Sequence, residues 1–115
     1  MIALVFRYDA REPEEFQQAY GPDGEWAQFF RQGAGYIGTE LLRDLDEPDR
    51  YVVIDRWESI DAYNAFLAEH QAEYLRRSDE SRFYYIQELR FGTFENVWAR
   101  GNPDSGANGP ARRRR

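Results

Sequence analysis

The sequence predicts an α+β domain in which four strands and two helical regions follow the order β-α-β-β-α-β. Three observations carry that expectation. The 115 residues suffice for one domain, because two separate cores would each be too small to be stable. Short runs of branched and aromatic residues alternate with amphipathic stretches in that order. On the third such run, Tyr51, Val53 and Trp57 share one side while Val52 and Ile54 share the other, so both faces of the sheet carry apolar groups.

The first strand is Ile2–Tyr8, rich in branched and aromatic residues and interrupted by Arg7, and it closes at Asp9. Pro13 with Glu12, Glu14 and Glu15 marks a helix start, since proline lacks an amide the first turn leaves unpaired and acids favour the positive end of the helix dipole. Phe16, Tyr20, Trp26, Phe29 and Phe30 give this helix an apolar face, interrupted at Gly21-Pro22-Asp23-Gly24. The break is either a lid that bends over a cavity or a turn between two short helices. Gly33-Ala34-Gly35 ends the segment. Tyr36–Arg43 is the second strand, with Gly38 read as a bulge or a point of close approach. A polar turn over 44–50 joins it to the third strand, Tyr51–Trp57. Ser59 is the N-cap of a helix through Ala62, Ala65, Ala68 and Ala72. A polar patch from Arg76 to Arg82 then leads to the fourth strand, Phe83–Phe91.

This order is the split βαβ, ferredoxin-like arrangement, a four-stranded antiparallel sheet with both helices on one face. The apolar residues of the uncovered face predict a covering partner, most simply a second copy of the chain. The domain is expected over 1–100. Residues 101–115, with no large apolar side chain and four terminal arginines, are expected to be a disordered tail.

Composition narrows the chemistry. Nineteen aromatic rings, 17% of the chain, suggest a ring-lined cavity or a self-association face. With no cysteine, thiolate nucleophiles, disulfides and thiolate metal sites are excluded. With no lysine, Schiff-base chemistry is excluded. A single histidine, His70, cannot build a multi-histidine metal site in one chain, so covalent and metal catalysis are both poorly supplied. Residues 1–100 hold eleven arginines against twenty acids, a net charge of −9, which repels phosphate backbones and argues against nucleic acid. No stretch reaches the ~18 apolar residues of a membrane span. With no leader visible, a cytoplasmic location is expected.

Gly35-Tyr36-Ile37-Gly38-Thr39-Glu40-Leu41-Leu42-Arg43, then Tyr51–Ser59 with its Trp57-Glu58-Ser59 junction, then Ala62-Tyr63 and Phe66, resemble the antibiotic biosynthesis monooxygenase domain. The resemblance covers roughly residues 1–97. It implies a dimeric α+β barrel, two protomers joined through their open sheet faces, with a cavity between helices and sheet in each. Some members of this family oxygenate polycyclic aromatic compounds without metal, flavin or haem, and others cleave haem. Trp57 and Tyr63 match pocket aromatics of the cofactor-independent oxygenases, but the asparagine those enzymes place four positions before the tryptophan is Val53 here. The haem-degrading members place asparagine, tryptophan and histidine where this chain has Arg7, Phe66 and Arg76, which disfavours haem cleavage.

The residues supply candidates for such a cavity. Ile60, Tyr63, Leu67, His70 and Tyr74 recur at helical spacing. Tyr63 and His70 are candidate catalytic groups, His70 as a base near neutral pH or as a partly packed structural side chain. Asp55 shares the parity of Trp57 and is a third candidate, a buried base able to take a phenolic proton, or else a carboxylate paired with Arg43, Arg7 or the Tyr36 hydroxyl. Trp57, Trp26, Tyr20 and Phe30 are expected to hold a flat ligand, with Tyr36 or Arg7 stabilising its anion. The expectation is a cofactor-independent monooxygenase acting on an aromatic or polyketide-like small molecule. The alternative is a ligand-binding domain of the same family without that activity.

Overall fold

The computed structural model describes residues 1–97, so the expected tail at 101–115 lies outside the described residues. The first apolar run forms β1, Ile2–Ala10, two residues longer than the expected strand. Leu4, Tyr8 and Ala10 are buried along one of its faces. β2 (Tyr36–Arg43), β3 (Arg50–Trp57) and β4 (Tyr85–Glu95) complete an antiparallel sheet in the order β2-β3-β1-β4, which is the ferredoxin-like α+β arrangement.

The two expected helical regions each divide. Pro13 opens α1 (Pro13–Tyr20), with Glu14 and Glu15 in its first turn, and α2 runs Glu25–Phe30. The break between them is a turn closed by the Gly24 N–H donating to the Gly21 carbonyl at 2.9 Å. A Cβ on Gly24 would stand 2.5 Å from the Gln18 carbonyl oxygen, so the turn needs a residue without one. Ser59 caps α3 (Ile60–Glu69), its Oγ accepting from the Ala62 N–H at 3.0 Å. His70 leaves the helical conformation, and α4 (Gln71–Ser81) follows it.

Two expectations at this end need correction. The polar patch from Arg76 to Arg82 is helical as far as Ser81. Charge pairs one turn apart support it, Arg77 to Glu73 at 2.7 Å and Arg76 to Glu80 at 3.1 Å, so polarity there marks a solvated helix face rather than a loop. The fourth strand begins after a single tight turn at Arg82–Tyr84 and extends to Glu95, where it pairs with Ile2. Phe83 is therefore outside the strand and 78% exposed.

Two buried clusters join helices to sheet. One gathers Tyr8, Phe16, Tyr20, Tyr51 and Val53, and the other gathers Leu4, Phe29, Phe30, Trp57 and Phe66, while Phe6 and Trp26 pack against both. Gly35 lets the chain turn into β2 beneath α3. Its φ of 97° is costly for other residues, and a Cβ there would lie 2.8 Å from that of Ala62. The opposite sheet face carries Val5, Arg7, Val52 and Ile54 by strand alternation. No helix is long and apolar enough to cross a membrane among the described residues.

Candidate functional site

A cavity of about 140 Å³ lies between the sheet and the helices. Phe6 and Tyr8 of β1, Val53 and Asp55 of β3, and Tyr85 and Glu88 of β4 form its sheet side. Tyr20, Trp26 and Phe30 from the first helical region, with Tyr63, Tyr74 and Ser78 from the second, form the rest. Its wall is thus mostly ring faces, interrupted by two carboxylates, and no lining residue is cationic.

Asp55 projects into this cavity because β3 alternates. Tyr51, Val53 and Trp57, at the same parity, are all buried against the helices. Asp55 is half-buried and lines the cavity. Its Oδ1 accepts a hydrogen bond from the Thr39 Oγ at 2.6 Å. Thr39 stands directly opposite on β2, and its hydroxyl also lies 2.6 Å from that of Tyr36. Burial pushes the Asp55 carboxyl up to about 6, and the Thr39 hydrogen bond opposes that rise. The expected arginine partners are elsewhere: Arg43 lies over the Tyr51 ring with its Nη2 donating to the Tyr51 hydroxyl at 2.9 Å. The Tyr36 hydroxyl meets Asp55 only through Thr39.

The second carboxylate is organised differently. The Tyr8 hydroxyl donates to Glu88 Oε2 at 2.6 Å, and the Tyr85 hydroxyl reaches Oε1 at 3.4 Å. Burial raises the phenol pKa of Tyr8, Tyr20 and Tyr63 well above the ordinary tyrosine value. These hydroxyls therefore stay protonated near neutral pH and act as neutral donors. Of the lining groups, Asp55 is the one whose carboxyl burial brings toward neutral pH.

Asp55, Tyr63, Trp26, Tyr20 and Phe30 are thus brought together at one cavity. Trp26 is fixed by its Nε1–H donating to Ser81 Oγ at 3.0 Å, which ties α2 to α4. The other candidates lie outside it. Trp57 is fully buried, with its ring packed on Phe30, Tyr36, Tyr63 and Phe66, so it supports the wall and has no face free for a ligand. His70 sits at the α3–α4 bend with its ring 4.5 Å from that of Phe66, away from the lining. Helical spacing places it on the Tyr63 stripe, but the bend ends that register. Arg7 points to the opposite sheet face, where it meets Asp9 at 3.6 Å. Tyr36 touches Phe30 and Trp57 behind the cavity wall.

Sequence reasoning does not single out Tyr8, Glu88, Tyr85, Ser78 and Thr39 as parts of the site, whereas Tyr74 stands on the helical stripe it names. Strand alternation in β1 already puts Tyr8 beside Phe6 and Leu4, and the β2–β3 hairpin register puts Thr39 opposite Asp55. Glu88 and Tyr85 carry no such signal, because the pairing of β4 shifts register between Val5 and Phe6 and between Asp9 and Ala10.

Comparison with known proteins agrees with the fold. The antibiotic biosynthesis monooxygenase family model matches residues 1–77. Among solved structures, the chain is 25% identical to SnoaB, a cofactor-independent oxygenase from Streptomyces nogalater, over 88% of this chain and 97% of that one, with a TM-score of 0.71. A single-residue mutant of MhuD, holding two manganese protoporphyrin IX molecules per active site, is 20% identical over 89% and 100% of the two chains, with a TM-score of 0.65. A candidate antibiotic biosynthesis monooxygenase from Nitrosomonas europaea is 17% identical over 85% and 100%, at 0.63. Among curated proteins none matches. With two thirds of its length under that family model and its strands and helices in the same arrangement, the chain belongs to the antibiotic biosynthesis monooxygenase family.

Proposed function

We propose that the chain is a cofactor-independent monooxygenase that oxidises a phenolic small molecule in the cavity between helices and sheet. The observation that carries this reading is Asp55: a carboxylate inside a ring-lined cavity, held by one neutral hydroxyl and paired with no cation among the described residues. Its pKa of about 6 leaves it mostly ionised at neutral pH yet basic enough to take a phenolic proton. The resulting phenolate is electron-rich and reacts with dioxygen while the aromatic walls hold the ring. The balance needs no outside reductant: phenol and dioxygen give quinone and water. A ring C–H becomes C=O, and the second oxygen atom leaves as water with the two hydrogens lost by the substrate. Tyr63 acts in this scheme as a neutral donor toward the developing anion. The likeness to SnoaB supports the reading, although Val53 stands where the resemblance calls for asparagine. A porphyrin does not fit, since no histidine lines the cavity and 140 Å³ holds about one benzene ring.

The test is oxygen uptake with a panel of electron-rich one-ring phenols. Wild type consumes oxygen with at least one of them and Asp55→Asn loses at least about 100-fold in kcat, with the rate of wild type rising through pH 6 and levelling above it. Equal rates in the variant overturn the assignment of Asp55. We also place the protein in the cytoplasm as a homodimer joined through the open sheet face. The apolar Val52, Ile54 and Leu89 together with Leu42, which is 50% exposed, support this reading. Ile54→Glu is then expected to sediment as a monomer, and a wild-type monomer at micromolar concentration rules the dimer out.

A further inference from the structure

We propose that the cavity selects a one-ring phenol carrying an amino group, its ammonium held by Glu88 at one end and its hydroxyl presented to Asp55 at the other. This rests on the cavity being the ligand site and adds the chemical class of the ligand. Size is the first ground. A volume of about 140 Å³ matches a cavity that holds a single benzene ring (about 150 Å³) and falls short of the 300 Å³ or more that larger ligands occupy.

Charge is the second. Both charged groups in the lining are carboxylates, and neither lies within ion-pair distance of an arginine among the described residues. Asp55 uses Oδ1 for Thr39, and its Oδ2 accepts no hydrogen bond from a described residue. Glu88, exposed on the edge strand at the mouth of the cavity, is positioned by two tyrosine hydroxyls, which orient a carboxylate without neutralising it. The nearest cation on that strand face, Arg90, is turned to the Thr93 hydroxyl at 2.7 Å. Ring faces attract cations, and a body of net charge −9 adds a long-range field of the same sign. Arg90 also acts on Tyr63 of the lining and is the exception; the carboxylates, the ring faces and the net charge all oppose an acidic ligand and favour an ammonium.

Spacing is the third ground. Asp55 stands opposite Leu4 and Glu88 opposite Tyr8, so the two positions are four residues apart along β1 and lie on strands flanking it. Their backbones are about 16 Å apart on standard strand geometry. With a side chain and a hydrogen bond at each end, this suits a phenol and an amine separated by one ring and a two-carbon arm.

The experiment is calorimetric binding, independent of turnover, with three matched probes: 4-(2-aminoethyl)phenol, 4-ethylphenol and 3-(4-hydroxyphenyl)propanoate. The amine is expected to bind at least ten-fold tighter than the neutral phenol and the acid weakest. In Glu88→Gln the amine is expected to lose most of its advantage over the neutral phenol, the remainder coming from Asp55, the ring faces and the net charge. An amine no tighter than 4-ethylphenol, or an acid tightest of the three, overturns the selectivity while leaving the cavity as the ligand site. An amine advantage that is undiminished in Glu88→Gln overturns the role of Glu88. Failure of all three probes to bind overturns the cavity reading as well.

Discussion

Two neighbouring parts of the same sheet face are built from the same kind of residue and differ in what fills the space between them. Around Trp57, the rings of Phe29, Phe30 and Phe66 close on one another at centroid distances of 4.9–5.9 Å and leave nothing for a ligand to enter. Beside them, Tyr8, Tyr20, Trp26, Tyr63 and Tyr74 surround a void. The difference lies in the polar groups. The packed region offers hardly any, so its rings gain most by meeting each other. The hollow region is threaded by Asp55, Glu88 and tyrosine hydroxyls. Collapse there would bury the Asp55 carboxylate further against apolar surface, and an open cavity is the less costly arrangement. Aromatic count alone therefore does not distinguish core from cavity in this protein, whereas the interleaved carboxylates do.

This contrast predicts a large difference in stability. Trp57→Ala removes a fully buried side chain from the filled region and is expected to cost about 3–5 kcal/mol by urea denaturation. Tyr74→Ala enlarges a space that already exists and is expected to cost about 1–2 kcal/mol. Equal losses would mean that the two regions are packed alike.

The next effect depends on pH. The Asp55 carboxyl titrates near 6 in the folded protein against an ordinary 3.8. Between those values the folded state binds more protons than the unfolded state, so the contribution of Asp55 falls as pH rises from about 4 to about 6 and is constant above. The difference is about 3 kcal/mol against folding at neutral pH. Asp55→Asn removes it. The variant is expected to gain stability relative to wild type at pH 7.5 and to show little of that gain at pH 4. A gain of the same size at both pH values would show that burial does not perturb this carboxyl.

The elements legible in the sequence are those whose periodicity and end signals agree. β1, β2 and β3 follow their alternation, Pro13 starts a helix, and Ser59 caps another where the residue types indicate. The same alternation places Asp55 on the face of Trp57. The second helical region is harder, because Arg76–Ser81 is helical through charge pairs on a solvated face rather than through an apolar stripe. His70 shows the same limit, since spacing assumes a straight helix and this one bends at that residue. Resemblance and residue type point Trp57 and Arg7 to the cavity, whereas burial depth and strand parity place them elsewhere. The Glu88 end of the cavity depends on a strand whose register shifts twice against its neighbour, and parity cannot be carried across such shifts without the partner strand in view.

The smallest expected effect concerns the one hydroxyl that connects the polar group in the hollow to the ring packing behind it. Thr39 holds Asp55 Oδ1 at 2.6 Å and also meets the Tyr36 hydroxyl, which belongs to the packed side. That hydrogen bond favours the ionised carboxylate and so holds its pKa below the value that burial alone would impose. Thr39→Val keeps the shape and removes the donor. The pH midpoint of oxygen uptake is expected to move upward by about one unit, with the plateau rate at high pH retained because the base is still present. A midpoint that stays near 6 would show that Thr39 does not tune this carboxylate. A downward shift would mean that the valine had opened the site to water, and that the boundary between the hollow and filled regions depends on Thr39 for packing more than for its hydrogen bond.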